Sequence, residues 1–246
     1  MKRRSGLKRF VLAERIAHWL YALFFLVCLV SGLLMWIPAT RDWLGGARYG
    51  VSLRHAATGF AMIVVPLLLM AIFDRRRLVQ DVREVDRWSA DDRRWFWAAL
   101  RADSLRRHEL PPQGRLNAGM KANSILVAAM AVGFAVTGAM LLGKTGLPPW
   151  LVSRALWLHG FLAIAAAVLF AGHLAHVFVT RHGRHYLRAM VWGTLPEEIA
   201  RERHELWWEK TLIRDGASAE AVIEETAPEG ATGEDAPAQE PEDATT

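Results

Sequence analysis

The stretch ALWLHGFLAIAAAVLFAGHLAHVFVT, residues 155–180, decides how the rest of the chain is read. It contains no Lys, Arg, Asp or Glu, yet it carries His159, His173 and His176. Crossing the hydrocarbon core of a bilayer takes roughly 20 apolar residues rising about 1.5 Å each, so the stretch is long enough to span it. An ionisable side chain at membrane depth is expensive and marks a proton path, a ligand or a cofactor site. His159 and His173 are 14 residues apart. At about 100° per residue they project from roughly one helix face, about 21 Å apart along the axis. That is most of the hydrocarbon thickness.

Three more uncharged apolar runs lie upstream, at 16–37, 56–73 and 122–143. The spacing predicts four transmembrane helices over about 16–37, 53–73, 122–143 and 155–180, an all-α integral membrane protein built as a four-helix bundle. The first run is too long and too aromatic for the short apolar core of a cleaved signal peptide. Lys and Arg number six in residues 1–15, twelve in 74–121 and seven from 181 onward, against three in 38–54 and two in 144–154. The positive-inside rule therefore puts both termini and the long central loop in the cytoplasm, and the two short loops, with Trp43 and Trp150 as interface anchors, on the other side. The net charge of +5 follows from this topology and gives no reason to invoke nucleic acid. Cys28 is the single cysteine. It allows no intrachain disulfide, and no C-x-x-C-H motif is present for covalent haem attachment.

Between the helices, Pro38 is expected to close the first one and residues 38–50 to form a Gly-rich turn. Pro66 falls inside the second, where a kink is tolerable. Within the central loop, 78–85 and 93–100 mix apolar and charged residues at helical spacing and are expected to be short interfacial helices. Residues 195–210 read as one amphipathic cytoplasmic helix. From 215 to 246 there are ten acidic residues and no Lys or Arg, so this stretch is expected to be a disordered acidic tail on a membrane domain of residues 1–214. His108, His182, His185 and His204 lie in charged segments and read as solvated surface residues.

The histidines carry the chemistry. The first helix rises from the cytoplasm with His18 near its start, and the second descends from the outer face with His55 near its start. Matching by depth pairs His18 with His173 on the cytoplasmic side and His55 with His159 on the outer side. Neutral imidazole is an axial ligand of haem iron, and two pairs at two depths suit two b-type haems. A lone membrane histidine can simply glue helices together by hydrogen bonding, and zinc prefers three or four clustered ligands. Gly32, Gly59, Gly160 and Gly172 would let a flat macrocycle approach the backbone, and Arg15, Arg54 and Arg154 are placed to neutralise propionates. His176 matches the depth of His18 slightly better than His173 does but lies about 100° off the azimuth of His159. It is either a rival ligand or part of a polar pocket beside the haem.

Several motifs recur in a known family: ERIAHW at 14–19, Arg54-His55 with Gly59, GRLNAGMK at 114–121, and His159-Gly160 with a histidine fourteen residues later. Together they resemble the gamma subunit of respiratory formate dehydrogenase, a membrane cytochrome b, over about residues 8–210. The resemblance implies the same haem pairing and a menaquinone site beside the cytoplasmic haem, near Asn117 and Gly119; the expected electron acceptor is menaquinone or ubiquinone. It also implies an iron–sulfur beta subunit on the outer face and, through it, a molybdenum- or tungsten-containing alpha subunit. Formate oxidation would belong to that other chain, and the location would be the bacterial inner membrane. Asn117 is equally suited to cap the third helix. Met120 departs from the family pattern, which has Gln there. Two other readings are a cytochrome b of a nickel–iron hydrogenase, which shares the helix plan, and a haem-free membrane anchor.

Overall fold

A computed structural model describes residues 6–100 and 110–214. The expected acidic tail and His108 lie outside the described residues. Four long helices form the membrane part: α1 (Leu12–Trp36), α3 (Arg48–Phe73), α6 (Ala118–Leu142) and α7 (Pro149–Val179). All four are long and apolar enough to cross a membrane. Their outward side chains, among them Leu23, Val30, Leu67, Ile72, Val132, Phe161 and Val168, are exposed. Such a surface is stable against lipid and not against water. The chain is a multi-pass membrane protein. Helix α1 packs on α3, α3 on α6, and α6 on α7.

Each helix begins four to eight residues before the apolar run does, as α3 does at Arg48 and α7 at Pro149. Charged and amphipathic side chains at a helix end reach back toward the interface, so composition understates the helix. The expected Gly-rich turn at 38–50 is instead helical: Pro38 opens α2 (Pro38–Leu44), a 3-10 turn covers Gly45–Ala47, and α3 follows directly. Proline at the first helical position is favourable because its missing N–H had no partner to lose.

The other end of the bundle is capped by shorter elements. These are β1 (Leu7–Lys8), α4 (Arg75–Asp86), α5 (Ala90–Leu100), α8 (Arg181–Trp192), β2 (Thr194–Leu195) and α9 (Glu197–Arg203); α10 (Glu205–Arg214) follows in the chain. The two central-loop helices were expected from spacing and are present as α4 and α5. Local chemistry sets their starts. Asp74 accepts from the Arg77 N–H at 3.0 Å to begin α4. Ser89 and Asp92 form a reciprocal capping box at α5, with Ser89 N–H donating at 2.8 Å and Asp92 N–H at 3.0 Å. Between α7 and α8 the chain turns so sharply that a Cβ on Gly183 would collide with the His176 carbonyl. Gly193 ends α8 at φ 87°, a left-handed position that favours glycine.

Strands β1 and β2 pair antiparallel, Leu7 opposite Leu195, which ties the N-terminal segment to the chain after α8. Leu7, Ala189, Leu195 and Ala200 form the core of this cap, with Phe10, Tyr186, Ile199 and Trp207 packed around it. The single helix expected at 195–210 is corrected by this arrangement. It is a strand and two helices broken at His204, whose ring is fully buried. The compact unit containing the bundle runs to Trp208, and a second unit begins at Glu209.

Candidate functional site

Antiparallel topology brings the four histidines together in two pairs. His18 of α1 and His173 of α7 have ring centres 6.4 Å apart, at the capped end of the bundle. His55 of α3 and His159 of α7 have ring centres 6.1 Å apart, at the far end. An imidazole nitrogen binds a first-row metal at about 2.0–2.1 Å, and the ring centre lies about 1.1 Å further, so two axial imidazoles place their centres about 6.3 Å apart. Both pairs fit that spacing. His176 follows one turn further on in α7, and its backbone carbonyl accepts the Thr180 hydroxyl at 2.7 Å. Among the described residues no cluster of three or more His, Cys, Asp or Glu could hold a metal ion. A haem supplies four ligands of its own and asks the protein for only two.

The far pair is held on all sides. His55 Nδ1 lies 2.9 Å from Ser31 Oγ of α1, and the Cys28 thiol is 3.8 Å from the His55 carbonyl. His159 Nδ1 lies 2.8 Å from Thr137 Oγ1 of α6, one turn from Phe134, whose ring stands edge-on to His159 at 5.1 Å. Ser31 and Thr137 were not singled out in the sequence. The signal available was a hydroxyl inside an otherwise apolar helix. Between the two pairs, Phe25 and Phe170 meet at 5.1 Å and join α1 to α7. Gly32 and Gly138 face the His55 and His159 rings, whereas nothing lies within 4 Å of a Cβ built at Gly160 or Gly172.

Asn117 caps α6, its Oδ1 accepting from Met120 N–H at 2.9 Å. That fixes the amide orientation, with Nδ2 turned to the other side. Gly119 lies under Trp95: a Cβ there would stand 3.2 Å from the indole ring. Arg15 does not stand free for a propionate. Its guanidinium donates to the carbonyls of Met190 and Val191, closing the end of α8 onto α1.

Below the capped pair lies a buried electrostatic layer. Arg115 bonds Glu14, Asp81 and Glu84, and Arg77 bonds Glu14 and Asp81. Burial pushes the Asp81 carboxyl up to about 7; Arg115 opposes the shift and Glu14 adds to it. Three carboxylates share two guanidiniums, and a proton on Asp81 closes the balance. Asp92 pairs with the buried Lys121 at 2.8 Å. Burial alone would raise Asp92, but the hydrogen bonds from Lys121 and from the Ser89 N–H and hydroxyl outweigh it and hold the carboxyl below its ordinary range.

Arg9 is almost fully buried, donates to the Arg115 carbonyl at 2.7 Å, and has Nε and Nη1 without hydrogen-bond partners. The rings of Phe10, Tyr186 and Trp207 surround it at 5.2–5.4 Å, supplying cation–π contact where hydrogen bonds are missing. His204, expected at the surface, is the hub of this layer. Its Nδ1 is 2.7 Å from the Gly114 carbonyl and its Nε2 is 2.9 Å from the Tyr186 hydroxyl. A carbonyl only accepts, so Nδ1 carries the proton and Nε2 accepts from tyrosine. Burial, then the charge of Arg9, drives the ring down to about 3, well below the ordinary histidine value. His182 bridges toward Arg203 and Glu202 and is half-buried.

A four-helix membrane bundle carrying one pair of facing histidines near each end is the architecture of a membrane cytochrome b. The chain belongs to the prokaryotic cytochrome b561 family, which it matches over residues 9–193. It is also similar to the formate dehydrogenase cytochrome b556(fdo) subunit of Escherichia coli strain K12, with 26% identity over 214 residues, 85% of this chain and 94% of that subunit. The same subunit from strains O6:H1 and O157:H7 is equally similar. The resemblance carried by ERIAHW, GRLNAGMK and the histidines is thereby borne out. Membership implies haem b as the cofactor and electron transport as the task.

Proposed function

We propose that this chain is the cytochrome b subunit of a formate dehydrogenase-like complex in a bacterial inner membrane, holding two b-type haems. His18 and His173 would ligate one on the cytoplasmic side, His55 and His159 the other on the outer side. Bound there, the two haems supply one-electron carriers at two depths, linking an iron–sulfur partner outside to menaquinone or ubiquinone at the cytoplasmic end. The observation that carries this reading is the equality of the two spacings, 6.4 and 6.1 Å, each matching an axial imidazole pair. A histidine that only glued helices would have no reason to meet another at that distance twice.

The chain's own groups then have distinct tasks. Helix α7 contributes one ligand to each pair and so sets the separation between them. The excess of Lys and Arg in the capping segments keeps that end, with both termini, in the cytoplasm. Quinone binding is assigned to the capped end, around Asn117, Gly119 and His176. Because the Asn117 oxygen is committed to the helix cap, its Nδ2 is the group free to donate to a quinone carbonyl as that oxygen gains charge. Trp95 over Gly119 gives the same place an apolar wall.

The test is haem content and its dependence on each ligand. The purified protein should contain two low-spin b haems per chain. His55→Ala or His159→Ala should remove one and leave the other, and His18→Ala or His173→Ala should do the reverse, while His176→Ala retains both. A chain with no haem would be an anchor. Loss of the capped-end haem in His176→Ala but not in His173→Ala would reverse the ligand assignment.

A further inference from the structure

The far histidine pair differs from the capped pair in one respect that bears on direction. Both of its rings are hydrogen-bonded at Nδ1 to a hydroxyl, and the state of each hydroxyl can be worked out. Ser31 Oγ is 2.6 Å from the Val27 carbonyl and Thr137 Oγ1 is 2.7 Å from the Gly133 carbonyl. Two oxygens at that separation repel unless a proton lies between them, and a carbonyl has none to give. The single hydroxyl proton of each side chain is therefore spent on its own helix. The contacts at 2.9 Å to His55 and 2.8 Å to His159 then need the proton to come from the ring. Each imidazole is the Nδ1–H tautomer, donating to the hydroxyl, with the Nε2 lone pair left for a metal. His18 and His173 make no such ring hydrogen bond among the described residues.

A hydrogen bond accepted from the non-ligating N–H fixes ring orientation and makes the other nitrogen a stronger donor. A stronger donor stabilises ferric over ferrous iron. We propose that Ser31 and Thr137 are positioning residues that hold both far imidazoles as Nδ1–H donors and lower the potential of the haem at His55 and His159. The haem at His18 and His173, without such acceptors, is left higher, so transfer from the far end to the capped end runs downhill. This rests on the two-haem reading above. It adds a cause for the direction of flow. Thr137 supports the assignment independently: it is a fully buried hydroxyl in an apolar helix, with His159 as its side-chain partner.

The experiment is a potentiometric titration of both haems in the purified full chain, followed optically and by electron paramagnetic resonance. It compares wild type with Ser31→Ala, Thr137→Val, Ser31→Thr and Thr137→Ser. Removing a hydroxyl should raise the midpoint of the far haem alone, by roughly a tenfold change in the ferric-to-ferrous ratio per bond, about 59 mV for one electron. The hydroxyl-retaining variants should keep the wild-type value. If Thr137→Val loses the far haem, Thr137→Ser should still bind it at the wild-type potential. Unchanged midpoints with both haems bound, or equal shifts at both, would overturn the proposal, as would loss of the far haem in Thr137→Ser. A wild-type chain with fewer than two haems overturns the reading beneath it, and that result is seen before any variant is made.

Discussion

Replacing His204 should remove the acid-labile part of the stability of the cap. The neutral ring joins the Gly114 carbonyl, three residues before Asn117, to the Tyr186 hydroxyl of α8. Its folded value of about 3 lies below the ordinary 6.5, so the folded cap binds fewer protons than the opened one. The contribution is complete above about pH 6.5 and is lost as pH falls toward 3, at up to about 1.4 kcal/mol per pH unit. Over the one and a half units below pH 6.5 this contribution alone changes opening of the cap about thirtyfold, read as the ratio of wild type to His204→Gln. Hydrogen–deuterium exchange of peptides spanning 7–15, 110–117 and 186–208, corrected for intrinsic rates, reads this directly. His204→Gln removes this titration and leaves the opposing one of Asp81, so acid should favour closure of its cap relative to wild type. His204→Leu also removes two hydrogen bonds and leaves buried partners unpaired, a loss of roughly 3–5 kcal/mol of local stability at neutral pH. If wild type and His204→Gln change their exchange by the same factor between pH 7.5 and 5, the argument from burial is wrong.

Two further outcomes follow from the buried layer. Asp81, raised to about 7, should give a protonated-carboxyl infrared band that disappears as pH rises through neutrality and is missing in Asp81→Asn. Its folded value of about 7 lies above the ordinary 3.8, so this contribution is complete below about pH 3.8 and is lost as pH rises toward 7, opposite in sign to that of His204; a carboxyl band titrating near the ordinary 3.8 would refute the charge balance. Lys121→Met should leave the Asp92 carboxylate buried without its cation, at a cost of about 3–5 kcal/mol. Adding Asp92→Asn should recover much of it, and thermal melts of single and double variants that simply add would show that the pair is not coupled.

What the sequence made legible is what depends on one helix at a time. Apolar length predicts the four spans, and the fourteen-residue interval puts His159 and His173 on one face. Pairing by depth needs only alternation of helix direction in addition, and the structure places those rings together. The azimuth argument that set His176 aside is likewise a property of a single helix. Boundaries fared worse because composition marks where charge begins, whereas a helix continues until its backbone hydrogen bonds stop. The reading of 38–50 as a turn failed for a related reason. Glycine there was weighed more heavily than the proline that starts a helix.

The errors and omissions concentrate where function depends on contacts between distant segments. The charged neighbours Glu202, Arg203 and Glu205 suggest a surface position for His204, but its ring turns inward to Gly114, ninety positions earlier. Ser31 and Thr137 look like ordinary back-bonded hydroxyls, the commonest state of Ser and Thr in a membrane helix. That state is what makes them useful here, because a hydroxyl that has given its proton to its own backbone can act only as an acceptor. On the proposed two-haem reading, the tautomer of a ligand, and with it the direction in which electrons run, would be set by residues from two other helices. Within either of those helices they look unremarkable. A sequence scan for ligands finds the imidazoles through their rarity in apolar segments. It has no corresponding signal for the groups that tune them, which must be sought by following each ring's second nitrogen to its partner.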